Sequence, residues 1–175
     1  FFFKQKTAYA ITECDWSSDV CSSDLSKLNT AMISYRIAEK SDVADIVRLT
    51  DQMLSHTALG CATPDKVYML VTSPRTLVKL AHDDSQLVGF VCGVVHESMF
   101  NAVRRVSDIG LFVIPEYRKS DIARNLIADL ESWARQQQAQ QLWMGQTTGD
   151  NTHVVERFYN RLGYKTQGFN CVKEL

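Results

Sequence analysis

The sequence lacks any apolar run that approaches the ~20 residues needed to cross a bilayer. It also lacks an excess of charge of one sign, since 19 Lys and Arg residues stand against 20 Asp and Glu residues, a formal net charge of −1. A near-neutral chain has no field that favours nucleic acid or an anionic membrane. We therefore expect neither partner, and 175 residues with 45% apolar content indicate one ordinary globular domain.

Metal-binding and disulfide patterns are missing as well. None of the five cysteines forms a C-x-x-C pair, and the four histidines are not spaced with them as zinc ligands are. We expect reduced thiols, a cytoplasmic protein and no metal site. The cysteines are Cys14, Cys21, Cys61, Cys92 and Cys171, and the histidines are His56, His82, His96 and His153.

The first 25 residues differ from the rest of the chain. They have neither a helical nor a strand period, and they scatter polar residues where a secretory signal would need an apolar core. The part D-W-S-S-D-V-C-S-S-D-L resembles a translated sequencing-adapter stretch. The alternative is a native disordered tail. We treat residues 1–31 as a non-native-looking extension without function, Met32 as a candidate natural start and residues 32–175 as one domain.

The remaining chain alternates strand-like and helix-like segments in the order β-α-(α)-β-β-β-α-β-α-β, which predicts a single mixed α/β domain. Trp143 and the apolar face of the last helix are expected in the core. The predicted segments are a strand Ser34–Ala38, a helix capped at Ser41–Asp42, helical turns at Lys66–Val71, strands Thr76–Ala81 and Gln86–Glu97, a polar connection or short frayed helix Asn101–Arg105, a strand Asp108–Ile114, a helix Ile122–Gln138, a strand Gln141–Gln146, a helix from Asn151 or Thr152 to Gly163 that buries Val154, Val155, Phe158 and Leu162, and a strand within Tyr164–Leu175.

The segment Ser107–Ile127 organises the rest. Pro115 ends a buried strand because proline cannot donate to a sheet ladder, and a helical period begins at Ile122. A strand that feeds a helix through such a turn directs unpaired N–H groups and the positive end of the helix dipole at one point, which suits a phosphate. With Arg118 and Arg124 nearby, we interpret the turn as a pyrophosphate site. The alternative is an ordinary βα unit with solvated charges.

Two motifs on these elements resemble the GCN5-related N-acetyltransferase (GNAT) superfamily. The first is V-I-P-E-Y-R, Val113–Arg118, at the end of a strand. The second is Asn151 followed by Phe158–Tyr159 and Gly163–Tyr164 on the last helix. The resemblance covers about Ser34 to Leu175. It implies a central mixed, mostly antiparallel sheet flanked by helices, and transfer of the acetyl group of acetyl-CoA to a primary amine of a small molecule or peptide.

The resemblance also implies roles for particular residues. Tyr159 would protonate the departing CoA thiolate, because a phenol with a pKa of about 10 stays protonated at neutral pH. The alternative is that Tyr159 is a packed aromatic residue of the helix. A backbone N–H near Phe112–Ile114 would stabilise the oxyanion. The cofactor would be held by the backbone of Leu111, Phe112 and Val113 along the pantetheine arm, by the turn residues Arg118, Lys119, Ser120, Asp121, Ile122, Ala123 and Arg124 at the pyrophosphate, and by Asn151.

The turn departs from the glycine-rich pattern of the family, since Lys119 and Asp121 stand where glycine is usual. Asp121 either points outward while its N–H still serves, or it weakens cofactor binding; we favour the first. The alternative function is therefore a GNAT-fold binding or regulatory module that has lost turnover. A longer acyl donor, the acceptor and a homodimer through an edge strand stay open. The candidate general bases, acting directly or through water, are Glu97, His96 and Asp108, and the alternative for each is a solvated charge at the end of a strand.

Overall fold

The computed structural model describes residues 32–55, 60–146 and 152–168. In these ranges the chain forms five strands and four α-helices, with short 3-10 turns at Lys40–Asp42 and Pro115–Tyr117. The elements are β1 (Ile33–Ile37), α1 (Val43–Leu54), α2 (Pro64–Thr72), β2 (Thr76–Asp83), β3 (Gln86–Glu97), β4 (Arg104–Val113), α3 (Ile122–Gln136), β5 (Gln141–Trp143) and α4 (Thr152–Arg161).

The five strands form one sheet in the order β1-β2-β3-β4-β5. Neighbouring strands are antiparallel except β4 and β5, which are parallel. Helices α1 and α2 pack on one face of the sheet and α3 packs on the other. The predicted fold class, a mixed and mostly antiparallel sheet flanked by helices, is confirmed. None of the helices in the described ranges is long and apolar enough to span a membrane.

Strand β3 is central, as its sequence Q-L-V-G-F-V-C-G-V-V-H-E predicts, because its side chains are apolar on both faces. Val88 and Val91 are fully buried. The helix α3 covers one face with the predicted stripe of Ile122, Leu126 and Leu130, all at most 1% exposed. These contacts fix the position of β4 and the start of α3, on which the candidate site depends.

The first helix is held to the sheet by an ion pair. Both carboxylate oxygens of Asp42 accept 2.6 Å hydrogen bonds from the guanidinium of Arg36 on β1. Asp42 also accepts a 2.7 Å bond from the N–H of Glu39, which forms a capping box at the turn before α1. The pair therefore joins β1 to the start of α1.

Strand β4 is longer than predicted. It begins at Arg104, inside the segment that we expected to be a polar connection. Glu97 pairs with Arg104 across the β3–β4 ladder, and His96 pairs with Arg105. The opposite charges of Glu97 and Arg104 stabilise this end of the strand, which has little apolar patterning of its own. The strand prediction from periodicity missed this part because it is polar apart from Val106, and because its second partner, β5, is distant in sequence.

The chain after α3 also differs from the prediction. Strand β5 ends at Trp143, and Trp143 is 47% exposed rather than buried, with the guanidinium of Arg105 4.8 Å from its ring centroid. Helix α4 buries no residue completely, and Val154 is 41% exposed. Residues 164–168 form no strand, and the rest of the predicted last strand lies outside the described residues.

Candidate active site

Strand β4 contains a β-bulge at Ile109. Cys92 pairs with Gly110, but the next residue of β3, Gly93, pairs with Asp108, so Ile109 is an extra residue on β4. A bulge bends a strand and re-aims the side chains on either side of it. A glycine inside a strand often marks such a site, and Gly110 carries that signal in the sequence.

The bulge places Asp108 and Gly110 on opposite faces of the sheet, although they are two residues apart. A Cβ on Gly110 would lie 3.5 Å from Met53 Cε on α1. Gly93, the partner of Asp108, directs its Cβ position at Leu130 of α3. Because side chains directly opposite each other on paired strands share a face, Asp108 belongs to the α3 face.

Beyond the bulge, β4 has a free edge. The parallel pairing with β5 covers only Arg105–Ser107, opposite Gln141–Trp143. Within the described chain, the edge Asp108–Val113 has no strand beside it on the β5 side. Such an edge offers N–H and C=O groups to an extended ligand, which binds as an added strand does.

The register decides which residues of β4 face this edge. Ile114 N–H donates a 3.0 Å bond to the carbonyl oxygen of Val88 on β3. Since hydrogen bonding alternates along an antiparallel strand, the backbone of Phe112 also faces β3, while Leu111 and Val113 face the free edge. Of the three residues that the sequence suggested for a pantetheine arm, two therefore present their backbone to the open side.

The turn after β4 holds its own shape through Ser120. Ser120 Oγ donates a 2.6 Å bond to the carbonyl oxygen of Tyr117 and accepts a 3.3 Å bond from Ile122 N–H. The carboxylate of Asp121 makes no capping hydrogen bond to α3. Ser120, and not Asp121, therefore accepts a hydrogen bond from the start of α3, and the side chain of Asp121 is exposed.

Several amides of this turn have no partner in the described residues. Arg118 N–H and Ser120 N–H donate to carbonyl oxygens inside the turn, but no acceptor is present for the N–H groups of Lys119, Asp121 and Ala123. The first helical bond of α3 belongs to a later residue. The unpaired amides and the helix dipole make this turn suited to an anion.

The two arginines of the turn have different partners, since Arg118 contacts the end of β4 and Arg124 contacts Asp121. Arg118 bends back, and its Nε donates a 3.1 Å bond to the carbonyl oxygen of Val113, with its guanidinium 5.7 Å from the centroid of the Phe112 ring. Asp121 Oδ1 lies 3.8 Å from Arg124 Nε, and both side chains are exposed. Arg118 thus braces the end of the free edge, while Arg124 partly neutralises the carboxylate at the helix start.

Tyr159 lies on α4 in an aromatic cluster. Its ring centroid is 5.6 Å from that of Phe158 and 5.6 Å from that of Tyr164. Burial raises the pKa of Tyr159, and the charge of Asp108 raises this pKa further. The phenol therefore stays protonated through the physiological range. Gly163 ends α4 at φ +88°, as its predicted place beyond the helix requires.

Of the three candidate bases, Asp108 is the one whose charge acts on Tyr159. Burial raises the pKa of Asp108 from the usual 3.8 to about 6. A 2.9 Å hydrogen bond from Gly145 N–H to Asp108 Oδ1 acts in the opposite direction and lowers this pKa. His96 instead contacts Ser107 Oγ at 2.9 Å, and Glu97 lies at the far end of β3. The structure thus brings together one carboxylate and one phenol whose pKa values suit opposite proton transfers.

Comparison with known proteins identifies the family. A family model described as "Acetyltransferase (GNAT) family" matches residues 47–164. The chain belongs to the GNAT family. A search of curated protein sequences finds no match. In the described residues, no cluster of His, Cys, Asp or Glu side chains is suited to a metal ion.

Solved acetyltransferases share this GNAT fold at low sequence identity. A ribosomal-protein-alanine N-acetyltransferase from Brucella melitensis biovar Abortus 2308 has a TM-score of 0.66 and 17% identity, with 82% of this chain and 99% of that chain covered. An aminoglycoside acetyltransferase from an uncultured soil metagenomic sample, in complex with sisomicin, has a TM-score of 0.66 and 12% identity, with 82% of this chain and 96% of that chain covered. AAC(6')-Iy, bound to the bisubstrate analogue CoA-S-monomethyl-acetylneamine, has a TM-score of 0.69 and 15% identity, with 82% of this chain and 97% of that chain covered.

The site residues named from the sequence of this GNAT domain fall into three groups. The turn and the free edge are brought into one continuous surface at the end of β4, and Tyr159 is joined by Asp108. Asn151 lies outside the described residues. The bulge at Ile109 and the hydrogen bond from the Gly145 amide to Asp108 were not expected from the sequence. Gly110 is the local sequence feature that indicates the bulge.

Proposed function

We propose that this chain transfers the acetyl group of acetyl-CoA to a primary amine by direct attack in a ternary complex. The observation that carries the proposal is the free edge of β4, which runs from the bulge beside Asp108 to the anion-binding turn at Arg118. An extended ligand with a diphosphate at one end and a reactive thioester at the other fits such an edge and turn.

The donor would be held mainly by backbone groups. The N–H of Val113 and the carbonyl oxygen of Leu111 face the open edge and would hydrogen-bond the pantetheine arm. The unpaired amides of Lys119, Asp121 and Ala123 would hold the pyrophosphate, together with the neighbouring Arg124. Lys119, Ser120 and Ile122 complete the turn, and Arg118 keeps the edge in place rather than reaching the phosphate. Asn151 stays a predicted ligand of the amide-bearing arm.

Two side chains would move the protons. An alkyl ammonium has a pKa of about 10.4, so the acceptor must lose a proton before it attacks. Asp108 would take that proton, directly or through water, and the amine nitrogen would then bond to the acyl carbon. As the C–S bond breaks, Tyr159 would donate its proton to the CoA sulfur. The amide of Leu111, the edge N–H nearest the bulge, would stabilise the developing oxyanion.

The acceptor class is left as a primary amine of a small molecule or a peptide. The structural relatives include a ribosomal-protein-alanine N-acetyltransferase and aminoglycoside acetyltransferases, and a fold shared at 12–17% identity does not choose between a protein and a small-molecule acceptor. A cytoplasmic location and a homodimer also stay part of the proposal.

Thermal unfolding with acetyl-CoA, followed by detection of released CoA, tests the proposal. Saturating acetyl-CoA should raise the melting temperature, because a ligand that binds only the folded state stabilises it. A panel of aminoglycosides, polyamines, amino acids and peptides should then contain an amine that releases CoA. No stabilisation would refute donor binding. Stabilisation without CoA release from any amine would favour the binding module that has lost turnover.

A further inference from the structure

A cavity of about 80 Å³ lies between the sheet and helices α1 and α2, directly against the bulge of β4. Ile109 and Gly110 form one wall. Phe90 and Cys92 of β3 form the floor, and Met53 of α1 lies opposite Gly110. The cavity is therefore next to the end of the free edge that is farthest from the anion-binding turn.

The lining of this cavity is suited to hydrocarbon and not to an ammonium group. No charged side chain is among its described lining residues, and its one hydroxyl, Thr50 Oγ1, already donates a 2.8 Å bond to the carbonyl oxygen of Ile46. The buried thiol of Cys92 has its pKa raised to about 12, so it carries no charge either. A cation placed here would lose its hydration without a partner.

The position of the cavity relative to the donor decides which group enters it. This step rests on the proposed function. With the diphosphate at the turn and the thioester oxygen at the amide of Leu111, the acyl chain begins beside Ile109 and Gly110. The acyl group has no charge, whereas the acceptor amine does. Hydrocarbon from the donor therefore enters the cavity, and the amine approaches from elsewhere.

We propose that the cavity binds the tail of the acyl group, so that this enzyme uses short acyl-CoA donors longer than acetyl, with propionyl and butyryl as the fitting lengths. A volume of about 80 Å³ is roughly half of the ~150 Å³ apolar cavity that holds benzene, which leaves room for roughly three carbon atoms. The bond changes are those of acetyl transfer, with a C–N bond formed, the C–S bond broken and CoA thiol released.

The test is kcat/KM for acetyl-, propionyl-, butyryl- and octanoyl-CoA with one fixed acceptor amine. The value should rise about fourfold for each methylene added up to butyryl, as expected for burial of a methylene group, and should fall for octanoyl. Acetyl-CoA as the best donor, with a steady fall along the series, would overturn the inference.

Two variants change the cavity in opposite directions. Gly110→Ala adds a methyl group toward Met53 Cε at 3.5 Å and should lower the ratio of butyryl to acetyl kcat/KM about tenfold. Met53→Ala should shift the optimum to longer chains. Met69→Ala is the matched control, because Met69 on α2 is 60% exposed and outside the cavity, and its ratio should equal that of the wild type. Equal ratios in all four proteins would contradict the proposal.

A binding measurement separates failure of this inference from failure of the proposed function. Butyryl-CoA should raise the melting temperature more than acetyl-CoA does, even without an acceptor. If no acyl-CoA raises it, the proposed function fails. If all of them raise it equally, donor binding stands and the acyl cavity is refuted.

Discussion

The backbone N–H of Gly145 donates a 2.9 Å hydrogen bond to Oδ1 of Asp108. This bond joins β4 to the chain just after β5, at the point where the two strands stop pairing. It holds the carboxylate beside the opening between the strands, and it limits the rise in the pKa that burial alone would cause. Asp108 is thus fixed in place and still ionised at neutral pH, which a general base requires.

Asp108→Asn should lower kcat about 10²- to 10⁴-fold, because the amide keeps the shape of the side chain but cannot accept the proton. In the wild type, kcat/KM should fall as the pH drops below about 6, where the carboxyl becomes protonated. Asp65→Asn on the surface of α2 is the control and should keep wild-type rates. If kcat/KM of the Asp108→Asn enzyme fell below pH 6 as it does in the wild type, Asp108 would be excluded as the base.

The same variant should change the pH dependence of stability. The folded state raises the pKa of Asp108, so the folded protein binds this proton more tightly than the unfolded chain does. The free energy of unfolding should therefore fall as the pH rises from about 4 to about 6. Asp108→Asn removes this fall in the free energy of unfolding, because the amide does not ionise. At pH 8 the variant should therefore be more stable than the wild type, as measured by urea unfolding. Parallel pH curves for the two proteins would contradict the raised pKa.

Tyr159→Phe should lower kcat about 10²-fold or more and leave the affinity for acetyl-CoA nearly unchanged, because only the proton for the leaving sulfur is lost. Tyr164→Phe is the matched control on the neighbouring ring. The Tyr164 hydroxyl donates a 3.0 Å bond to Glu131, so this variant should lose about 1 kcal/mol of stability but little activity. Equal loss of kcat in both variants would assign Tyr159 to packing alone.

Asp121→Asn should improve binding of acetyl-CoA a few-fold, because it removes a negative charge beside the unpaired amides of the turn. The same change should cost about 0.3–1 kcal/mol of stability, since a carboxylate at a helix N-terminus is favourable. Isothermal titration and urea unfolding measure the two effects. Asp129→Asn, which breaks the 3.1 Å pair with Lys79 farther along α3, should not change affinity. Weaker binding in Asp121→Asn would mean that its carboxylate assists the ligand.

Asp42→Asn should destabilise the fold by about 2 kcal/mol, since it breaks the two charge-assisted bonds from Arg36. The hydrogen bonds from Arg36 lower the pKa of Asp42, so its contribution is present above the unfolded pKa of about 3.9 and is lost as the pH falls toward the folded value. The difference between wild type and variant should shrink below pH 4. Asp45→Asn, whose 3.5 Å pair with Arg48 is exposed, should change stability by less than about 0.5 kcal/mol.

Much of the fold was predictable from local patterns. The bounds of β3 and the start of α3 follow from apolar runs and periods, and Gly163 follows from the need for positive φ after a helix. The motif Val113–Arg118 is also local, because a proline stop and a helix start lie within ten residues. These features depend on neighbours along the chain, which a single sequence displays.

The tertiary structure alone decided how the candidate site is assembled. The extra residue at Ile109 arises from the register between β3 and β4, and that register determines which face Asp108 occupies and which amides of β4 stay free. Exposure of Trp143 and Val154 was likewise missed, because periodicity finds an apolar face but not what covers it. The sequence by itself determined most of the elements and their order, and it carries the motifs of the family. The pairing of distant strands determined the geometry, since register and burial are set by contacts between residues far apart in the chain.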